Sequence, residues 1–286
     1  MDYVNPKDLM EEVVPVARNK ASLGIVDMLL RGALSGAFLG FATSLAVIVT
    51  AQGLPAIVGA ILFPVGFVML VLLGLELATG NFALLPVGVV AGEISVTKML
   101  RNWSWVYVGN LIGSVFYALL FYWALTNFGS SSSGAAGDLL KAAAQKKTLG
   151  YMSLGASGWA TAFIKGILCN WMVTIGALLA LVSRSTIGKI VAMWLPILTF
   201  FAQGFEHSIV NMFVVPVGMM FGAPVPIRTW LFWNQLPVTL GNIFSGALFT
   251  GLALYATYHQ KKPVQPRSGP ALATNEVGVS FSVAGD

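Results

Sequence analysis

Charge is scarce in this chain. Asp, Glu, Lys and Arg make up 9% of its 286 residues, against about 25% in a typical soluble domain. Hydrophobic residues fill 57%, so a water-soluble fold is excluded and a polytopic membrane protein is predicted. Cysteine is nearly absent. The single copy, Cys169, lies in an apolar run, so no intrachain disulfide can form and the redox compartment is not readable. No metal site, cofactor or catalytic residue is expected. The net charge of +5 is not a nucleic-acid signal, because the basic residues are scattered at the ends of apolar runs. The first eight residues have no basic segment leading into an apolar core, so no cleavable signal is expected.

What is present is organised around Gly204-Phe205-Glu206-His207-Ser208-Ile209-Val210-Asn211. This octet interrupts an apolar run over 190–221, too long for one ordinary span of about 20 residues. A carboxylate and an imidazole at membrane depth are costly and mark a functional site by default. A broken helix at that depth must be buried in protein or line a cavity.

The octet has a twin. Gly74, Glu76, Asn81, Pro86 and Gly88 match Gly204, Glu206, Asn211, Pro216 and Gly218 at a constant offset of 130. Gly109-Asn110 matches Gly241-Asn242 at offset 132, and Arg31-Gly32 matches Lys165-Gly166 at offset 134. This predicts two three-helix repeats, about 27–128 and 159–258, each with a broken middle helix. Paired interruptions point to a transporter's binding site.

Residues 1–26 read as an amphipathic segment along the membrane face. Asn5 caps its helix, Leu9, Val13, Val16 and Ala17 form its apolar stripe, and Pro15 is expected to break or kink it. Spans are expected over 28–51, 56–92 (broken at 78–81), 103–128, 159–182, 190–221 and 236–258. Trp103 and Trp105 read as interface anchors. A polar connection over 129–150 carries Lys141, Lys146 and Lys147, and a flexible tail occupies 259–286. With both termini inside, Lys7, Arg18, Lys20, Lys98, Arg101, Arg184, Lys189, Lys261, Lys262 and Arg267 face the cytoplasm. Lys141, Lys146, Lys147 and Arg228 face out. Ten against four favours cytoplasmic termini.

Half-helix N-termini near the bilayer centre present free N–H groups and about half a positive charge, which can hold an anion. Thr79 and His207 lie in the breaks as hydrogen-bond donors, and His207 can change charge near neutral pH. His207 has Leu77 as its twin, so it stands outside the repeated scaffold, which favours function. Glu76 and Glu206 are duplicated and read as structural, accepting N–H groups freed by the broken helices. Asn110, Asn170 and Asn242 are either helix–helix ties or path-lining groups. Lys165 is either a snorkelling lysine or a vestibule charge that attracts anions.

Four stretches carry a family resemblance: Gly-Phe-Glu-His-Ser-Ile-Val-Asn-Met-Phe (204–213), Leu-Glu-Leu-Ala-Thr-Gly-Asn (75–81), Phe-Ile-Lys-Gly-Ile-Leu-Cys-Asn-Trp (163–171) and Val-Thr-Leu-Gly-Asn (238–242). Together, over residues 5–258, the chain resembles the formate/nitrite transporter family. The resemblance implies an all-α, aquaporin-like bundle of six spans with an inverted repeat, and a homopentamer in which each subunit has its own pore. It carries the central histidine onto His207, the loop threonine onto Thr79 and the pore asparagines onto Asn170 and Asn242. Apolar constrictions fall on Phe63, Phe67, Leu77, Val173, Phe200 and Val210. Ala78 departs from the family's bulky residue there, so selectivity transfers less well than fold.

The implied function is passage of a small monovalent anion, nitrite or formate, with protons, across the lipid bilayer of the cell (inner) membrane. The 163–171 stretch leans toward nitrite-type members. Proton transfer through His207 would remove the charge that makes an apolar constriction costly to cross. Two rivals remain: a neutral-solute channel, although the aquaporin Asn-Pro-Ala pair is absent, and an intramembrane serine protease. The second rests on Gly155-Ala156-Ser157-Gly158, a rhomboid-like motif, followed by His207. It leaves the repeat unexplained.

Overall fold

The structure is a computed structural model and describes residues 3–258. The expected tail, with Lys261, Lys262 and Arg267, lies outside the described residues. The chain forms α1 (Leu9–Ser22), α2 (Ile25–Ala51), α3 (Ala56–Leu62), α4 (Pro64–Leu72), α5 (Ala78–Val90), α6 (Val96–Thr126), α7 (Gly134–Lys147), α8 (Leu149–Ser153), α9 (Ala156–Val182), α10 (Thr186–Ala202), α11 (Ser208–Met220) and α12 (Ile227–Tyr258). The last includes π-helical turns at Leu231–Gln235 and Ser245–Leu252.

Helices α2, α6, α9 and α12 are long and apolar enough to cross a bilayer. The two remaining crossings are broken: α3 and α4 lead into α5, and α10 leads into α11. Three crossings per repeat leave the chain on the opposite face, so the second repeat is inverted. Each break opens on a left-handed glycine, Gly74 (φ +64°) and Gly204 (φ +65°), which stops the helix. Leu77 and His207 are extended just before α5 and α11 restart. The first break therefore spans 73–77 rather than the expected 78–81. Gly74, not Gly80, is the stop, and Ala78, Thr79, Gly80 and Asn81 form the first turn of α5.

The flanking pairs at offsets 132 and 134 are close helix crossings. A Cβ on Gly109 would sit 2.7 Å from the Leu29 carbonyl, where α2 meets α6. A Cβ on Gly241 would sit 2.2 Å from the Phe163 carbonyl, where α9 meets α12. At these positions backbone touches backbone, the close approach that small residues allow in membranes.

Three expectations need correction. Pro15 does not break α1, which runs unbroken through it; the ring sits on the exposed face while Leu9, Met10, Val13 and Ala17 face inward. Helices α6 and α12 start earlier than expected, at Val96 and Ile227. The added turns hold Asn102, Asn234 and Gln235, which lie outside the expected spans and are buried against the breaks. Trp103 is not an interface anchor. Its ring packs on Phe82 and its Nε1–H donates to the Asn81 carbonyl at 3.1 Å.

Candidate functional site

The same set of bonds holds each break. The amide of Asn110, on α6, accepts from the Ala78 N–H (3.0 Å) and donates to the carbonyls of Gly32 (2.8 Å) and Glu76 (2.9 Å). Asn242, on α12, accepts from the Ser208 N–H (3.0 Å) and donates to Gly166 (2.8 Å) and Glu206 (3.1 Å). Both amides thus bind the first N–H of a half-helix and the carbonyl two residues earlier. In lipid such backbone groups have no water to turn to.

The carboxylates are tied to the surface helices. Glu76 and Glu206 are 3% and 2% exposed. Glu76 accepts from Lys20 of α1 at 2.7 Å and from Asn81 at 2.8 Å. Glu206 accepts from Lys147 of α7 at 2.7 Å, from Asn211 at 2.8 Å and from the Tyr151 hydroxyl at 2.8 Å. Burial, and then the Glu206 charge, pushes the Tyr151 phenol above its usual range, so it stays a donor. The expected partners of these carboxylates were backbone N–H groups. The hydrogen-bond partners found are side chains, because Asn110, Asn242 and His207 already serve the backbone.

At the centre the N-termini of α5 and α11 meet. The His207 Nδ1 accepts from the Val210 N–H at 3.2 Å, capping α11. Its Nε2 lies 3.1 Å from the Thr79 hydroxyl. A backbone N–H can only donate, so Nδ1 carries the lone pair and the neutral ring holds its proton on Nε2. His207 therefore donates to Thr79, and the Thr79 hydrogen remains available. Protonating Nδ1 would break the cap. Asn170, on α9, donates to the carbonyls of Thr79 (3.1 Å) and Asn242 (2.7 Å), linking the two repeats.

The six apolar residues, Phe63, Phe67, Leu77, Val173, Phe200 and Val210, are buried in one cluster. The Phe200 ring lies 5.8 Å from those of both Phe63 and His207. On the α1 side a cavity of 350 Å³ is lined by Lys20, Lys189 and Glu76 and reaches Phe67 and Leu77. On the opposite side a cavity of 260 Å³, lined by Val47, Thr50 and Ile57, reaches Phe201, which stacks on Phe63 at 3.8 Å. Lys165 is half-buried beside the second break, where its carbonyl accepts from the Glu206 N–H at 3.3 Å. Cavities on opposite sides of an apolar-walled, polar-centred plug suit selective passage of a small solute. They do not suit Ser–His chemistry: the Ser157 hydroxyl donates to the Leu154 carbonyl at 2.8 Å, and both His207 nitrogens are engaged elsewhere.

The family model described as "Formate/nitrite transporter" matches residues 7–256. The chain belongs to the formate/nitrite transporter family. A probable formate transporter of Methanothermobacter thermautotrophicus is 37% identical over 273 residues, 90% of this chain and 97% of that protein. The nitrite transporter NirC of Salmonella typhimurium is 34% identical over 225 residues, 77% of this chain and 78% of that protein. Among solved structures, an FNT family ion channel superposes with TM-score 0.77 at 28% identity, covering 87% of this chain and 98% of that one. A pentameric formate channel with formate bound superposes with TM-score 0.66 at 27% identity, covering 82% and 98%. These relatives are transporters and channels.

Several residues of the family fold escaped the sequence reading. Lys20 and Lys147 are related at offset 127 rather than 130, so they fell outside the register that exposed the carboxylates. Tyr151 has no twin. Gln235 stands where the first repeat has Trp103, and its Nε2 donates to the Tyr107 hydroxyl (2.6 Å) and the Ser208 carbonyl (3.2 Å). Its replacement of an indole at offset 132 was the available signal.

Proposed function

We propose that this chain carries small monovalent weak-acid anions, formate and nitrite, across the cell membrane in step with protons. It does so as a homopentamer with one path per subunit and cytoplasmic termini. The observation that carries the reading is the Thr79–His207 pair where two half-helix N-termini meet. Lys189 lines one vestibule, where Lys20 is already paired with Glu76, and draws anions in. The half-helix dipoles favour negative charge at the centre. The apolar rings on either side penalise it, so protonation lets the substrate pass: His207 gives up its Nε2 proton as Nδ1 takes one from solvent, which opens the Val210 cap for that step. Leaving aside Arg31 and Lys165, which lie within α2 and α9, seven Lys and Arg on the α1 face among the described residues, against four on the other, support cytoplasmic termini.

His207→Phe keeps a ring of similar size and removes both nitrogens. In proteoliposomes, uptake of formate and nitrite by the variant is expected to fall roughly tenfold, as when one strong hydrogen bond is lost. Its rise with falling pH should flatten. A variant whose pH profile matches the parent's would rule out the proton role of His207.

A further inference from the structure

The repeat sets two pairs of equivalent helices beside each other, and their seams differ. Between α4 and α10 the seam is shut: Phe63, where α3 meets α4, stacks on Phe201 at 3.8 Å. Between α6 and α12 it is open. These helices meet through the Tyr107 hydroxyl, which accepts from Gln235 Nε2 at 2.6 Å and lies 2.7 Å from the Thr239 hydroxyl. Beside these bonds runs a groove of 750 Å³. Leu100, Leu231, Phe232 and Leu236 wall it, each about half exposed. Both helices are long and apolar enough to cross a bilayer, so the groove opens sideways into the membrane. Along α12 its lining runs from Arg228 to Ile243, about 22 Å at 1.5 Å per residue. That is about half the thickness of a bilayer with its headgroups. Arg228 is the only charged residue that lines the groove among the described residues. It is exposed in the first turn of α12 and has no hydrogen bond or ion pair among the described residues.

We propose that an anionic phospholipid binds in this seam, its phosphate on Arg228 and one acyl chain along the groove between α6 and α12. A guanidinium takes a phosphate through two parallel hydrogen bonds, and basic residues beside spanning helices recognise anionic headgroups. A lipid joins that anion to an apolar chain at the depth the groove occupies. Tyr107, Gln235 and Thr239 bond to one another, so an apolar chain can lie over them. A second copy of the chain is the competing occupant. On the Arg228 face it offers one exposed acid among the described residues, Asp138, which sits on α7 outside the spans. Gln235 also donates to the Ser208 carbonyl at the second break, at 3.2 Å. A bound chain therefore braces the seam next to α11, and the lipid stabilises the folded protein.

The full chain, purified and stripped of lipid in detergent, is unfolded by heat with phosphatidylglycerol or phosphatidylcholine added at equal concentration. Phosphatidylglycerol should raise the midpoint by about 2–4 °C more than phosphatidylcholine does. Arg228→Gln, a change at an exposed position, should erase that difference. Ser104→Trp places an indole in the groove, which Ser104 lines at an exposed position. It should also erase the difference while the protein keeps the parent's elution volume on size-exclusion chromatography. Equal shifts from the two lipids on the unaltered protein would overturn the proposal, as would a phosphatidylglycerol preference that survives Arg228→Gln. A smaller assembly for Ser104→Trp would show that a second copy covers the seam instead. If Ser104→Trp does not fold, the comparison of the parent with Arg228→Gln decides alone.

Discussion

Lys147→Met is expected to destabilise the protein by roughly 3–5 kcal/mol, the usual cost of leaving one partner of a buried ion pair alone. The Glu206 side chain is 3% exposed and that of Lys147 is 22% exposed, and their ion pair spans 2.7 Å. Exposed surface pairs are worth far less. Without the ammonium, the carboxylate keeps only neutral donors, Tyr151, Asn211 and Asn234. The double variant Lys147→Met with Glu206→Gln should recover much of the loss, because no buried charge remains. Thermal unfolding in detergent checks both. A single variant as stable as the parent would mean that the Glu206 site is open to water and that α7 does not anchor the break. Lys20→Met should act in the same direction on Glu76, its partner at 2.7 Å.

Asn242→Leu should do more damage still. It leaves the Ser208 N–H and the carbonyls of Gly166 and Glu206 without their partner. Each stranded buried group costs about 1–3 kcal/mol, and the bilayer supplies no water to replace it. Asn110→Leu removes the matching three bonds from the first break. Both variants are expected to give little monodisperse protein on size-exclusion chromatography. A well-folded Asn242→Leu protein would show that the second break does not depend on this tie.

Much of this architecture is legible in the sequence. Glycine stops, buried carboxylates and tie asparagines recur because each break poses the same problem of unpaired backbone, and the repeat solves it twice with the same residue types. The location of the first break was not legible. Gly74 and Gly80 look alike in a sequence, and only the backbone angle tells a stop from a packing residue. Lys20 and Lys147 were hidden because each reaches its carboxylate from a separate surface helix joined by a segment of different length. The role of Asn242 was balanced between tie and path until its bonds could be counted. The pairing of His207 with Thr79 crosses between repeats, so no spacing within either repeat could reveal it.

Uptake of formate and nitrite into proteoliposomes holding the purified protein, recorded with internal pH, tests anion passage and proton linkage together. Entry of either anion should accelerate as external pH falls and should acidify the lumen in proportion to the anion taken up. Entry without acidification would contradict proton-linked passage through His207. No entry of either anion by intact protein would contradict the transport reading itself.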